Sequence, residues 1–166
     1  DGKLTAGKPA QAIEDRIAQV TQEAYDNGDY IFVAMDRHDE GDTFHPETKL
    51  FPPHNIAGTD GRELYGKLAG VYDAIKDDNR VFWMDKRHYS AFSGTDLDIR
   101  LRERRVTTVV LTGVLTDICV LHTAIDAYNW GYDIEVVESA TASLTPEAHD
   151  FAIGHLKNVL GATIVE

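Results

Sequence analysis

Residues 107–139 read TTVVLTGVLTDICVLHTAIDAYNWGYDIEVVES. The stretch opens with an apolar run of strand length, TTVVLTGV, and closes with another, DIEVVES. Between them DICVLHTAIDAYNWG reads as a helix that stops near Gly131. Strand, helix, strand with near-continuous apolar strands is the mark of a parallel sheet covered on both faces. The same alternation extends in both directions. Upstream, PAQAIEDRIAQVTQEAYDNG places Ala10, Ile13, Ile17, Val20 and Ala24 on one helical face, with Pro9 in the first turn and Gly28 at the stop. YIFVAM, Tyr30 to Met35, is a strand, and a weaker helix spans residues 61–76. RVFWMDK is a second strand and DLDIRLRERR a short helix. Downstream, TPEAHDFAIGHLKNVLG is a helix with Thr145 as N-cap and Pro146 at its first position, and ATIVE is the last strand. The expected fold is α/β: one domain over residues 1–166, a doubly wound open parallel sheet with helices on both faces.

Composition narrows the function. The chain has 166 residues, 43% hydrophobic and 27% charged, which suits a globular domain. A formal net charge of −12 argues against nucleic acid or an anionic membrane surface as partner, and favours a neutral or cationic small molecule. One cysteine rules out an internal disulfide and fits a reducing cytoplasm. No apolar stretch approaches bilayer length. Trp130 and Tyr132, in AYNWGYD, are candidate interface aromatics of a homo-oligomer, or else cap the core.

In open parallel sheets ligands bind beyond the carboxyl ends of the strands, and the chemically rich residues fall there. Cys119 follows the third strand at the start of a helix, where unpaired backbone N–H groups favour a thiolate and can receive an oxyanion. It reads equally as a small buried residue packed on the sheet. Lys86 ends the second strand, where its ammonium can support a nearby negative charge, or it is an ordinary surface lysine. Asp36 ends the first strand, and His38, two residues on, points the same way. The long loop from Asp36 to Thr59 adds Glu47 and a further histidine, His54. Aspartate and histidine donors suit zinc, iron or manganese, with Glu47 binding directly or through water. His45 lies in the same loop, and spacing does not separate it from the ligands. All three groups map to one edge of one sheet.

These segments carry a resemblance. GVLTDICV, Gly113 to Val120, resembles the nucleophile segment of the isochorismatase-like cysteine hydrolases. MDRHDEGDTFHPE with LFPPH is similar to the metal loop of their nicotinamidase branch, and DKRHYSAFSGTDLDIRL to its lysine segment. The similarity covers nearly the whole chain, and the Asp-x-His…His set selects the branch. The resemblance implies Cys119 as nucleophile and Lys86 as the lysine of an Asp–Lys–Cys triad. It implies Asp36, His38, His54 and Glu47 at a divalent metal, zinc first with iron or manganese as alternatives. Leu115 and Cys119 supply N–H groups to the oxyanion, with a cis peptide at Val114–Leu115. Phe51 and Tyr89 line a slot for the substrate ring.

The function so implied is hydrolysis of nicotinamide, and of pyrazinamide, through a thioester, within NAD salvage. The alternatives are another small-amide hydrolase of the superfamily, a metal hydrolase with an inert Cys119, and a non-enzymatic metal-binding domain. One departure stands out. The family's triad aspartate ends a first strand that lies between the strands ending at Met35 and Val114. No such segment occurs here, so strand and aspartate are expected upstream of residue 1.

Overall fold

The computed structural model describes residues 3–166. Helices α1 (Gly7–Ala12) and α2 (Glu14–Asp26) lead to strand β1 (Ile31–Asp36). A long loop with two 3₁₀ turns, Pro46–Lys49 and Asp60–Arg62, precedes α3 (Gly66–Ile75) and β2 (Val81–Lys86). Helix α4 (Leu97–Glu103) and β3 (Thr108–Val114) follow, then a single π-helical turn, Thr116–Val120, which runs into α5 (Leu121–Asn129). The chain ends with β4 (Asp133–Ala142), α6 (Pro146–Asn158) and β5 (Thr163–Val165). Strands alternate with helices as expected, and every ladder among the described residues is parallel.

One detail departs from the sequence reading, and one follows it. The first helix is split at Ile13, whose backbone (φ −89°, ψ 1°) leaves helical geometry and interrupts the hydrogen-bond ladder. The sheet is hydrogen-bonded in two parts among the described residues, β1–β2 and β3–β4–β5. The position that the resemblance gives to a further strand lies between these parts, and such a strand falls outside the described residues. Strand β1 is half-buried along its length, and Val110 and Val114 of β3 are exposed.

The core lies where the helices after β2, β3 and β4 meet the sheet. Ala124 and Ala127 present a small face of α5 at zero exposure, so the helix approaches closely, and Leu156 of α6 is equally buried. Strand β4 buries Ile134, Val136 and Val137 against them. Its register with β3 shifts between Leu111 and Gly113, where pairing jumps on β4 from Val136 to Thr141. Gly113 has φ of 105° there, a conformation strained for any residue with a side chain. Helix α6 begins as the sequence indicates: Pro146 opens it, and the Thr145 side chain accepts a bond from the Ala148 N–H at 3.2 Å. Tyr132 belongs to the core, with its hydroxyl donating to Asp98 at 2.7 Å, so it is not a surface aromatic; Trp130 is exposed. No helix among the described residues is long and apolar enough to cross a membrane.

Leu156→Ala should lower stability by about 2–5 kcal/mol, because it opens a cavity in a fully packed position. Urea denaturation monitored by circular dichroism checks this.

Candidate active site

The register of β1 on β2 runs from Ile31↔Val81 to Asp36↔Lys86, so the last residues of both strands lie side by side at the carboxyl edge. Lys86 is buried. A buried ammonium is costly unless its donors are satisfied, and all three here have partners. Nζ bonds the Asp36 carboxylate, donates to the His88 carbonyl at 3.1 Å, and lies 3.6 Å from Cys119 Sγ. The sequence reading brings Lys86 to Cys119, as found. Asp36, expected as a metal ligand, is found paired with Lys86.

Cys119 sits in the π-helical turn rather than in the first turn of a regular helix. The Leu115 carbonyl accepts from the N–H of Ile118 at 3.1 Å and of Val120 at 3.2 Å. The peptide before it, Val114–Leu115, is cis, at the position expected. From below, the Thr123 hydroxyl donates to the Cys119 carbonyl at 2.7 Å and itself accepts from the Ala91 N–H at 3.0 Å. Burial pushes the Cys119 thiol up to about 11, against the pull of the Lys86 ammonium and with Asp36 and Glu47 adding to the rise. Desolvation here works against the thiolate that the helix start was expected to favour, and it outweighs the one ammonium.

The long loop folds back on the end of β1. The His38 N–H donates to the Asn55 carbonyl at 3.0 Å, and the Ala57 N–H to the His38 carbonyl at 2.8 Å. This return brings His54 against His38, with ring centroids 4.4 Å apart. Each imidazole is anchored through Nδ1 to a backbone carbonyl: His38 to that of His54 and His54 to that of Pro52, both at 2.9 Å. A proton on Nδ1 leaves a lone pair on Nε2. Those two Nε2 atoms face opposite oxygens of the buried Glu47 carboxylate, at 3.7 Å for His38 and 3.5 Å for His54. Lone pairs facing a carboxylate repel it unless a proton or a metal cation lies between them. His38 Nε2 is moreover a buried polar atom without a hydrogen-bond partner. Backbone-anchored imidazoles with free Nε2 atoms around a carboxylate are the donor set of a divalent metal.

His45 is the loop's third histidine, and His38, His45 and Glu47 each bring a donor atom within 4.8 Å of the others. Both His45 nitrogens are nevertheless committed: Nε2 to the Arg87 carbonyl, and Nδ1 accepting from the Glu47 N–H at 3.3 Å. It positions Glu47 instead of offering a lone pair. Two residues that the sequence reading passed over complete this brace. Asp42 accepts from the N–H groups of Phe44 and His45 at 2.9 and 3.2 Å, and these contacts with Arg87 hold its carboxyl below the usual range. The Arg87 guanidinium donates to Asp39 at 2.5 Å and Asp42 at 2.6 Å, which ties the loop to the segment after β2. The signal for Asp42 was present, since Asp two and three residues ahead of N–H donors is an Asx turn; Arg87 had none beyond its place next to Lys86.

Tyr89 lies among the reactive groups. Burial raises its phenol pKa, and the charges of Glu47, Cys119 and Asp36 add to the rise. Phe51 sits edge-on to His54, with centroids 6.2 Å apart. The two rings do not line one slot among the described residues. Phe51 borders a cavity of about 170 Å³ with His38, Glu47 and His54, and Tyr89 borders one of about 370 Å³ with Glu47, His88 and His122. Glu47 separates the two.

Comparison with known proteins places this geometry. The isochorismatase domain model matches residues 3–165. The isochorismatase family protein PncA of Bacillus subtilis (strain 168) is 53% identical over 166 residues, 100% of this chain and 91% of the relative. The crystal structure of pyrazinamidase/nicotinamidase from Streptococcus mutans UA159 aligns with a TM-score of 0.98 at 79% identity, covering 99% of this chain and 91% of that one. The pyrazinamidase of Pyrococcus horikoshii, solved in complex with zinc, aligns with a TM-score of 0.82 at 26% identity over 95% and 86% of the two chains.

Because burial holds the thiol up, alkylation of Cys119 by iodoacetamide in chelator-treated protein should be markedly slower at pH 8 than for free cysteine and should climb toward pH 11. Lys86→Met removes the one group that lowers the pKa, so it should shift the profile further up. A profile centred on the usual thiol range would contradict the electrostatics described.

Proposed function

The chain belongs to the isochorismatase family, and from that premise we propose that it hydrolyses nicotinamide to nicotinate and ammonia, and pyrazinamide likewise, in the cytoplasm as a step of NAD salvage. The observation that carries the reading is the Lys86 ammonium, 3.6 Å from Cys119 Sγ and paired with Asp36, at the same sheet edge as the His38–Glu47–His54 donor set.

Asp36, His38, Glu47 and His54 would hold a divalent ion, zinc in preference to iron or manganese. Such an ion would supply Lewis acidity beside the substrate ring and so help to orient it. Tyr89, which lies among Cys119, Glu47 and Asp36, packs on the ring and sets the carboxamide carbon near Cys119, while Phe51 backs His54. The thiol proton passes to a carboxylate as sulfur attacks, because a thiol held near 11 is not self-ionising at neutral pH. We assign that carboxylate to an aspartate on a strand between β1 and β3, upstream of residue 1. The resemblance, which gives that strand a place between these two, is what supports the assignment. Lys86 balances the charge as the proton moves. The carbonyl oxygen becomes an oxyanion received by the N–H groups of Leu115 and Cys119. The carbon–nitrogen bond breaks as ammonia leaves with the proton from the carboxylate, and a thioester remains. Water gives its proton to the same carboxylate and its hydroxide to the thioester carbon. The carbon–sulfur bond then breaks, releasing nicotinate and the thiol. Exposed Trp130 is our choice for a contact between copies in a homo-oligomer.

Ammonia release from nicotinamide by the full-length protein should vanish in Cys119→Ala, and turnover retained in that variant would refute the nucleophile. Chelation should abolish most activity and zinc restore it. In calorimetric zinc titrations, His38→Ala and His54→Ala should lose measurable binding. His45→Ala, which removes a brace and not a ligand, should weaken binding about 10–100-fold.

A further inference from the structure

The turn that carries Cys119 is tied to the β4–α6 junction by two side chains that the mechanism does not use. The Asp117 N–H donates to Ser143 Oγ at 3.3 Å, and the Ser143 hydroxyl donates back to Asp117 Oδ1 at 2.6 Å. One residue earlier, Thr116 Oγ1 lies 2.9 Å from His149 Nδ1, and His149 Nε2 lies 3.8 Å from the Glu138 carboxylate. The carboxylate opposite Nε2 favours a proton there, so Nδ1 accepts from the Thr116 hydroxyl. Hydroxyl, imidazole and carboxylate in a row have the look of a second hydrolytic relay. Thr116 is fully buried, however, so no substrate reaches its oxygen. The row is a brace.

We propose that His149 is a positioning residue for the reaction, acting through Thr116 to set where Cys119 Sγ stands relative to Lys86. This rests on the reading of Cys119 as nucleophile. Thr116 begins the π-helical turn, three residues before the sulfur, and its buried hydroxyl keeps the turn seated only while an acceptor faces it. The acceptor's position comes from α6: the Thr145 cap fixes the helix start, and His149 follows one turn later, its N–H bonded to the Thr145 carbonyl at 3.2 Å. The substrate ring is held elsewhere, by residues of the metal loop and Tyr89. Loosening the brace therefore displaces the nucleophile without weakening ring binding, and it acts on kcat and not on KM.

The experiment compares His149→Ala, His149→Asn, Thr116→Val and the Ala/Val double variant, all in the full-length protein. Nicotinamide turnover is normalised to alkylatable Cys119, read from the peptide that carries it. Expected are a kcat lower by about tenfold in His149→Ala with KM unchanged and substantial recovery in His149→Asn, whose amide oxygen accepts near the place of Nδ1. The double variant should be no worse than the poorer single one. The alkylation rate of Cys119 should change in the same order, without reaching that of unfolded protein. Equal kcat in wild type and His149→Ala, losses that simply add, or recovery by neither measure in His149→Asn would overturn the proposal. If the wild-type protein itself releases no ammonia, the nicotinamidase reading fails. The alkylation series then decides the brace by itself: rates that follow the predicted order uphold it, and rates that do not overturn it.

Discussion

The structure is organised around one buried ammonium. Lys86 can be buried only because its three N–H groups meet a carboxylate, a carbonyl and a sulfur. That requirement reaches back into the sheet. A slip of one residue between β1 and β2 would turn Lys86 to the opposite face and leave Asp36 without its partner. The parallel register, the placement of Asp36 and the approach of the β3–α5 turn are thus one constraint seen from three elements. The ammonium does not by itself ionise the sulfur, because burial acts more strongly than a single neighbouring charge. The site is built to hold a neutral thiol beside the means of charging it.

The metal loop solves a related problem with the backbone. A long loop rich in proline lacks regular partners for its carbonyls. Here those carbonyls hold the imidazoles, Pro52 anchoring His54 and His54 anchoring His38. Anchoring one nitrogen aims the other, so the loop's own unmet acceptors become the device that orients the donor set. His45 and Arg87 extend the arrangement to Glu47 and to the strand end that carries Lys86.

Much of this was legible in the residues. Period and punctuation gave the order of strands and helices and the Thr145 cap of α6, because apolar runs and caps are local signals. Cys119, Lys86 and the His38/His54 pair converge as read, since all lie at strand ends or on the loop that follows one. What sequence did not carry is non-local or electrostatic. Nothing in spacing says that His45 spends both nitrogens on hydrogen bonds while His54 keeps one free. The split at Ile13 and the π-helical turn at Thr116 interrupt helices whose apolar periodicity runs on through them, so period alone does not mark either. The protonation of Cys119 depends on how dry its surroundings are, and no motif encodes that.

The dryness around the sulfur has a consequence for survival in an oxidising cell. Peroxides attack thiolates far faster than thiols, so a sulfur whose pKa stands near 11 is a poor target between turnovers. None of the 166 residues offers a second thiol to trap a sulfenic acid as a disulfide. A sulfenic acid on Cys119 is released by attack of another thiol or goes on to the irreversible sulfinic form. Resting as the neutral thiol is therefore a protection that burial itself supplies, and it lapses each time the substrate calls the proton away.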